Sequence, residues 1–176
     1  FVQDASLTEK NYFTEKNDLE KPDTKFQQYG FTLGGPVIKD KAHFFVSLER
    51  VIEDLAQDIA IPSRPDLNAA PVRETRVWNT LVRFDHQINK DHSWSVRWLR
   101  ETSPQYNQII PSGNPALPVT QAASREEDDL DQTLAFSLNS VLGNTRVNTL
   151  RFAFTQEDVS FATPAFNANG RHQDQL

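Results

Sequence analysis

Apolar and polar residues alternate along several short stretches of the chain. In residues 27–36, Tyr29, Phe31 and Leu33 occupy one parity, and glutamine, glycine and threonine occupy the other. Side chains two positions apart on a β-strand point to the same face of the sheet. The alternation therefore predicts a strand with one apolar face and one face of polar or small residues.

The same pattern recurs along the chain, and short polar turns join the stretches in pairs. The predicted strands are residues 27–36, 42–53, 76–88, 93–101, 130–142 and 146–158. Their apolar parity holds Phe44, Val46, Leu48, Trp78, Val82, Phe84, Trp94, Val96, Trp98, Leu134, Phe136, Leu138, Leu150, Phe152 and Phe154. Their other parity holds Glu49, Arg83, Asp85, Arg97, Arg151 and Glu157. The pattern predicts three antiparallel hairpins.

The connections between the hairpins are long and polar, unlike the turns within them. The predicted long loops are residues 4–25, 54–75, 102–125 and 159–176. Compact domains usually join their elements through about 4–6 residues. An alternation of short turns and long loops is typical of outer-membrane β-barrels, which have short periplasmic turns and long extracellular loops. Tyr29, Trp78 and Trp94 lie near strand ends, where such barrels carry aromatic girdles.

This pattern predicts an all-β fold, an antiparallel up-and-down meander that is a fragment of a large outer-membrane β-barrel. A soluble antiparallel sheet with one buried face shows the same alternation. Two alternatives therefore stay open: a soluble β-barrel or sandwich that binds a ligand, and a β-sandwich hydrolase built on loop carboxylates. The long loops and the arginines of the polar parity favour the membrane barrel.

Composition narrows the function further. The net charge of −6 argues against nucleic-acid binding, and the absence of cysteine excludes disulfides and thiolate chemistry. No stretch approaches the roughly 18 apolar residues of a membrane-spanning helix. The histidines show no metal-ligand spacing, no Gly-x-Ser-x-Gly motif is present, and the acidic run 126–131 lacks the spacing of a calcium loop. We therefore expect no enzymatic activity, no metal and no cofactor.

Residues 28–45 carry a family resemblance. The segment Leu33–Lys41 reads Leu-Gly-Gly-Pro-Val-Ile-Lys-Asp-Lys, between Tyr29-Gly30 and the aromatic pair Phe44-Phe45. This segment resembles TonB-dependent outer-membrane receptors, in particular the subgroup with a carboxypeptidase-regulatory-like N-terminal domain. Asn11-Tyr12-Phe13 and the hairpin Arg83–His92 are similar to further segments of that subgroup.

The resemblance implies the N-terminal part of a transporter barrel, with Phe1–Gln3 ending a first strand. It implies uptake of a metal chelate, glycan or peptide across the bacterial outer membrane. The implied partners are the lipid bilayer and a TonB-type energy-transducing protein, which acts through a plug region that we expect outside this segment. The residues expected to touch the ligand are Arg64, Tyr106 and Asn107 in the long loops and Arg83, Arg97 and Arg151 in the lumen.

Overall fold

The computed structural model describes residues 1–110 and 119–163. The strands are β1 (Val2–Asp4), β2 (Lys25–Ile38), β3 (Ala42–Ala56), β4 (Val72–Gln87), β5 (His92–Thr102), β6 (Gln105–Gln108), β7 (Arg125–Leu142) and β8 (Arg146–Ala162). The helix α1 spans Tyr12–Lys16, and single 3-10 turns span Ala5–Leu7, Pro65–Leu67 and Gln121–Ala123.

All strands belong to one antiparallel sheet. Strand order follows the chain from β1 to β5, then β7 and β8, so the predicted up-and-down all-β meander is confirmed. Tight turns join the two strands of each hairpin. In the turn between β4 and β5, the Asn89 side chain accepts hydrogen bonds from the backbone N–H groups of Asp91 and His92 at 2.9 and 3.0 Å. Such local bonding is the reason asparagine favours turns.

Strand β6 is a difference from the prediction, because it lies in the predicted loop 102–125. It pairs with β4 and β7, the neighbours of β5, and so continues the course of β5 after a break. The break lies at Ser103 and Pro104. Proline has no N–H to donate to a ladder, yet the Pro104 carbonyl still accepts from the Arg76 N–H at 3.0 Å.

Several strands extend beyond the stretches with clear alternation. β7 begins at Arg125 and β8 ends at Ala162, so residues predicted as loop continue the ladder. In Glu126–Asp129 both parities are acidic. Backbone pairing does not depend on an apolar face, but an alternation signal does. Strand portions that are polar on both faces therefore cannot be predicted from the alternation of apolar and polar residues.

Two of the predicted long loops are ordered against each other. Asp58 accepts hydrogen bonds from Asn11 at 2.8 Å and from the fully buried Thr14 hydroxyl at 3.0 Å. Ile59 forms an isolated bridge with Ala69. Among the described residues, the buried hydrophobic side chains are Ala42, Ile59 and Ile61. Much of the small buried core thus lies in the loops and not between sheet layers.

Candidate functional site

Cross-strand register collects the apolar parity of all the long strands on one face of the sheet, the apolar face. One row of paired residues runs Gly35, Phe44, Phe84, Val96, Phe136, Phe152. The next row runs Leu33, Val46, Val82, Trp98, Leu134, Phe154. Since directly paired residues share a face, the faces predicted for the three hairpins are confirmed.

The apolar face is uncovered in the described part of the chain. Phe31 and Phe152 are each 58% exposed, and Leu33 is 59% exposed. Soluble monomers rarely expose contiguous apolar patches larger than a few hundred Å². A face of this extent requires an apolar environment.

Aromatic residues mark the two limits of the apolar face. Toward the loops, the Arg50 guanidinium lies 4.9 Å from the centroid of the Trp78 ring. Toward the turns, the Trp94 indole N–H donates to His86 Nδ1 at 3.1 Å. Trp78 and His86 are eight residues apart on β4, about 27 Å along the strand. For a strand tilted by about 40° this is roughly 21 Å of depth, close to the ~25 Å apolar band of a membrane barrel.

The apolar band also shifts along the strands from one side of the sheet to the other. The centre of the apolar band on β2 is Phe31. Following the directly paired residue from each strand to the next, from Phe31 across the sheet, leads to Gln156 on β8. The apolar centre of β8 is Phe152, four residues away (156 − 152 = 4). A shift of about 14 Å over five strand spacings of about 4.8 Å corresponds to a tilt of roughly 30°. Strands of closed barrels tilt by about 35–45°.

The opposite face, the inner face, carries the hydrophilic parity. Arg83 pairs directly opposite Arg97, and both Arg83 guanidinium bonds to Asp85 measure 2.8 Å. Other inner-face side chains bond across strands, as Thr133 does with Thr155 at 3.1 Å. The face is not wholly polar, because register places Phe45, Leu81 and Leu99 on it as well.

The sequence model of one family, the outer membrane beta barrel domain, matches residues 1–70 and residues 56–175. The chain belongs to this family. No curated protein and no solved structure gives a significant match. Family membership places the barrel in the bacterial outer membrane and accounts for the uncovered apolar face, which contacts lipid. The two soluble folds left open by the sequence are therefore wrong.

The sheet brings three of the six predicted ligand-binding residues together. Arg83, Arg97 and Arg151 share the inner face and line one groove of about 540 Å³. Arg151 is in register with Ser137 and Ser95, and so lies one row from Arg97. Ligand binding by these residues stays a prediction.

The other three predicted residues do not join this group. Tyr106 pairs with Glu74, whose parity on β4 is that of the lipid-facing side. Asn107 has a φ of 55°, and its carbonyl accepts from Gln57 Nε2 at 2.6 Å. Arg64 forms a two-pronged ion pair with Asp66 at 2.8 and 2.6 Å. Hydrogen bonding from Arg64 holds the pKa of the Asp66 carboxyl below its ordinary value.

Residues that fix the loop end of the barrel escaped sequence analysis. Asp54, 8% exposed, forms ion pairs with Lys25 at 3.0 Å and with Arg76 at 2.5 Å. Gln57 bonds to Asn107 and to the Ile109 N–H. These partners are separated by 22 to 52 residues. No local signal in the sequence connects them.

The acidic run Glu126–Asp131 lies on strand β7, where successive side chains alternate between the two faces. Asp129 accepts from the Ser103 hydroxyl at 3.4 Å. Across residues 1–110 and 119–163, no group of three or more His, Asp or Glu side chains is arranged to hold a metal ion. Within the same ranges, no helix has the length and apolarity needed to cross a membrane.

Proposed function

We propose that this chain forms part of the wall of a TonB-dependent outer-membrane transporter for a metal chelate, glycan or peptide. The observation that carries the proposal is the segment Leu33–Lys41, whose sequence resembles that group of receptors. In the structure it forms the end of β2 and the turn into β3, with an irregularity in pairing between Pro36 and Ile38. Asp40 takes a φ of 59° in this turn, and the Lys41 N–H donates to the Ile38 carbonyl at 3.0 Å.

Strand length supports a large transporter barrel. A membrane crossing needs about 9–11 tilted residues, whereas β7 and β8 have 18 and 17 residues. The excess lies on the loop side of Trp78, where β4 continues back to Val72. Strands that continue beyond the bilayer hold the ordered loops at a distance from lipid, where they are accessible to an external ligand.

The sheet edges support a barrel with additional strands. In the described part of the chain, β8 pairs with β7 alone, and the only partner on the other side of β2 is the three-residue strand β1. Backbone groups in hydrocarbon must all be hydrogen-bonded, which requires closure. Further strands beside β2 and β8 satisfy that requirement. Barrels of about 16–18 strands leave an aqueous channel, and barrels of about 22 strands hold a plug in the lumen.

We assign transport and not catalysis to this barrel. The inner face presents arginine, serine and threonine side chains, which suit passage or binding of a polar solute. The partner in this proposal is a TonB-type protein that supplies energy from the inner membrane, acting through the plug.

Uptake measurements in the native bacterium test the proposal. Deleting the gene for this chain is expected to abolish uptake of one substrate among labelled metal chelates, glycans and peptides. Deleting the TonB-type protein, or collapsing the proton gradient, is expected to abolish the same uptake. Uptake that depends on this gene but persists without the TonB-type protein and the gradient would show a passive pore and contradict the proposal.

A further inference from the structure

We infer that Arg83, Arg97 and Arg151, the arginine patch, bind an anion that carries carboxylate or phosphate groups. The patch lies on the inner face, on strands β4, β5 and β8. Arg97 and Arg151 are two strands and two residues apart, which places their Cα atoms about 12 Å from each other. Side chains from both positions reach into the groove between them. Anion binding by this patch does not require the proposed transport, because the groove would bind the anion whatever supplies energy to the barrel.

The charge of the patch is not balanced by side chains of the described residues. Asp85 neutralises Arg83 through two hydrogen bonds of 2.8 Å. Arg97 and Arg151 form no ion pair within the described residues. Three arginines and one aspartate leave a charge of +2 (3 − 1 = 2) in a chain whose net charge is −6. This local excess of positive charge at one level of the inner face gives the groove an electrostatic preference for anions.

Asp85 pairs with Arg83 alone and leaves the neighbouring Arg97 without a counter-ion in the described part of the chain. Arg83 and Arg97 are direct cross-strand partners, and like charges in that relation destabilise a sheet. The inner-face carboxylates Glu101 and Glu157 are too far along the strands to relieve this repulsion, since Glu101 is four residues from Arg97 on β5. That spacing is about 14 Å. An anion bound between the guanidinium groups removes the repulsion.

Small residues leave space for such an anion. Ser95, Ala135, Ser137 and Ala153 line the groove between the arginines. Its volume of about 540 Å³ lies within the ~300–1,000 Å³ of ligand sites. Guanidinium groups bind carboxylate and phosphate through paired N–H donors, and the serine hydroxyls add further donors. The chemistry therefore selects planar or tetrahedral oxyanions, whether borne by an organic acid or by a phosphorylated solute.

Titration calorimetry on the full-length protein in detergent at low salt tests the inference, with inorganic phosphate and citrate as probes. Phosphate alone indicates a phosphate-bearing ligand, citrate alone a carboxylate-bearing one, and either result supports the site. The variants Arg97→Gln and Arg151→Gln are each expected to weaken binding about tenfold or more, since hydrogen bonds to charged groups contribute about 1.5–3 kcal/mol. Arg97→Lys keeps the charge without the paired donors and is expected to give an intermediate loss.

Arg100→Gln is the matched control. Arg100 lies three residues from Arg97 on β5, on the apolar parity, so its removal changes the net charge equally without touching the groove. Unchanged binding in this variant supports the site. The inference is overturned if neither probe binds, as expected when an acidic protein segment fills the groove, or if Arg100→Gln weakens binding as much as Arg97→Gln. Folding of each variant is checked by its electrophoretic shift on heating. None of these readouts depends on energised uptake, so this inference and the proposed function fail independently.

Discussion

A single charge placed at different depths on strand β3 tests the lipid-facing band quantitatively. Val46 lies in the middle of the band, in register with Leu33 and Val82. Ile52 lies six residues further along the same face, in register with Arg76. Six residues span about 20 Å of strand, or roughly 15 Å of depth at a tilt of about 40°. Ile52 is therefore beyond the apolar limit at Trp78.

This geometry sets the expected costs. Arginine on the lipid face of a barrel costs about 2–4 kcal/mol at mid-membrane and about 0–1 near the interface. We expect Val46→Arg to lower the free energy of unfolding by about 3 kcal/mol, more than a hundredfold in the folding equilibrium. Ile52→Arg is expected to cost less than about 1 kcal/mol. Ser47 is adjacent to Val46, lies on the inner face and is also half-buried. Ser47→Arg is expected to lower the free energy of unfolding as little as Ile52→Arg does.

Urea titrations of each variant in phospholipid bilayers, followed by tryptophan fluorescence, measure these differences. The ratio between Val46→Arg and Ile52→Arg is the decisive quantity, because a soluble core has no dependence on membrane depth. Equal costs at Val46 and Ile52, or a larger cost at Ser47 than at Val46, would refute the assignment of the band.

Three further predictions concern the sheet packing and the loops. A Cβ on Gly30 would press against the Leu48 carbonyl, whereas one on Gly35 would meet nothing closer than a Phe44 ring atom at 3.9 Å. Gly30→Ala should therefore lower the free energy of unfolding by about 1–3 kcal/mol in the same titrations, and Gly35→Ala should leave it almost unchanged. Equal effects of the two substitutions would contradict this packing. Asp58→Ala leaves the buried Thr14 hydroxyl without its acceptor, which should destabilise the packed loops by about 1–3 kcal/mol. Limited proteolysis should therefore cut residues 5–24 faster in this variant than in Asp23→Ala, the control at an exposed site. Carbon NMR should show that the Asp66 carboxyl titrates below its ordinary pKa of 3.8, and that its pKa returns toward that value in Arg64→Gln. Because this pKa is lowered in the folded loop, the Arg64–Asp66 pairing is complete above the ordinary pKa and is lost as pH falls through the lowered pKa. An unchanged titration in the variant would show that Arg64 does not lower the pKa.

The face of each strand residue was predictable from the sequence because strand parity is a local property. Phe44, Phe84 and Phe152 follow the period of two without reference to the rest of the chain. The pairing of Arg83 with Arg97 is also local, since a short turn fixes the register of its hairpin. The position of Arg151 beside them is different, because it depends on the register between β5 and β7, across a long connection.

Contacts within the loops could not be predicted for the same reason. Thr14 and Asp58 are 44 residues apart, and neither has a neighbour in sequence that indicates the other. β6 was missed because its four residues, Gln-Tyr-Asn-Gln, show no apolar alternation and directly follow Pro104, which argues against a continuing strand. Phe45, Leu81 and Leu99 on the inner face show that parity assigns a face but not its complete chemistry.

Labelling of single cysteines along β7 tests the central claim, that one face contacts lipid and the other lines the barrel interior. The chain has no natural cysteine, so each introduced thiol is unique. One cysteine is placed in turn at Thr133, Leu134, Ala135, Phe136, Ser137 and Leu138. In intact outer membranes, the even positions should react with a membrane-soluble maleimide and resist a charged one. The odd positions should show the reverse preference. Equal labelling at all positions, or the opposite parity, would contradict the account.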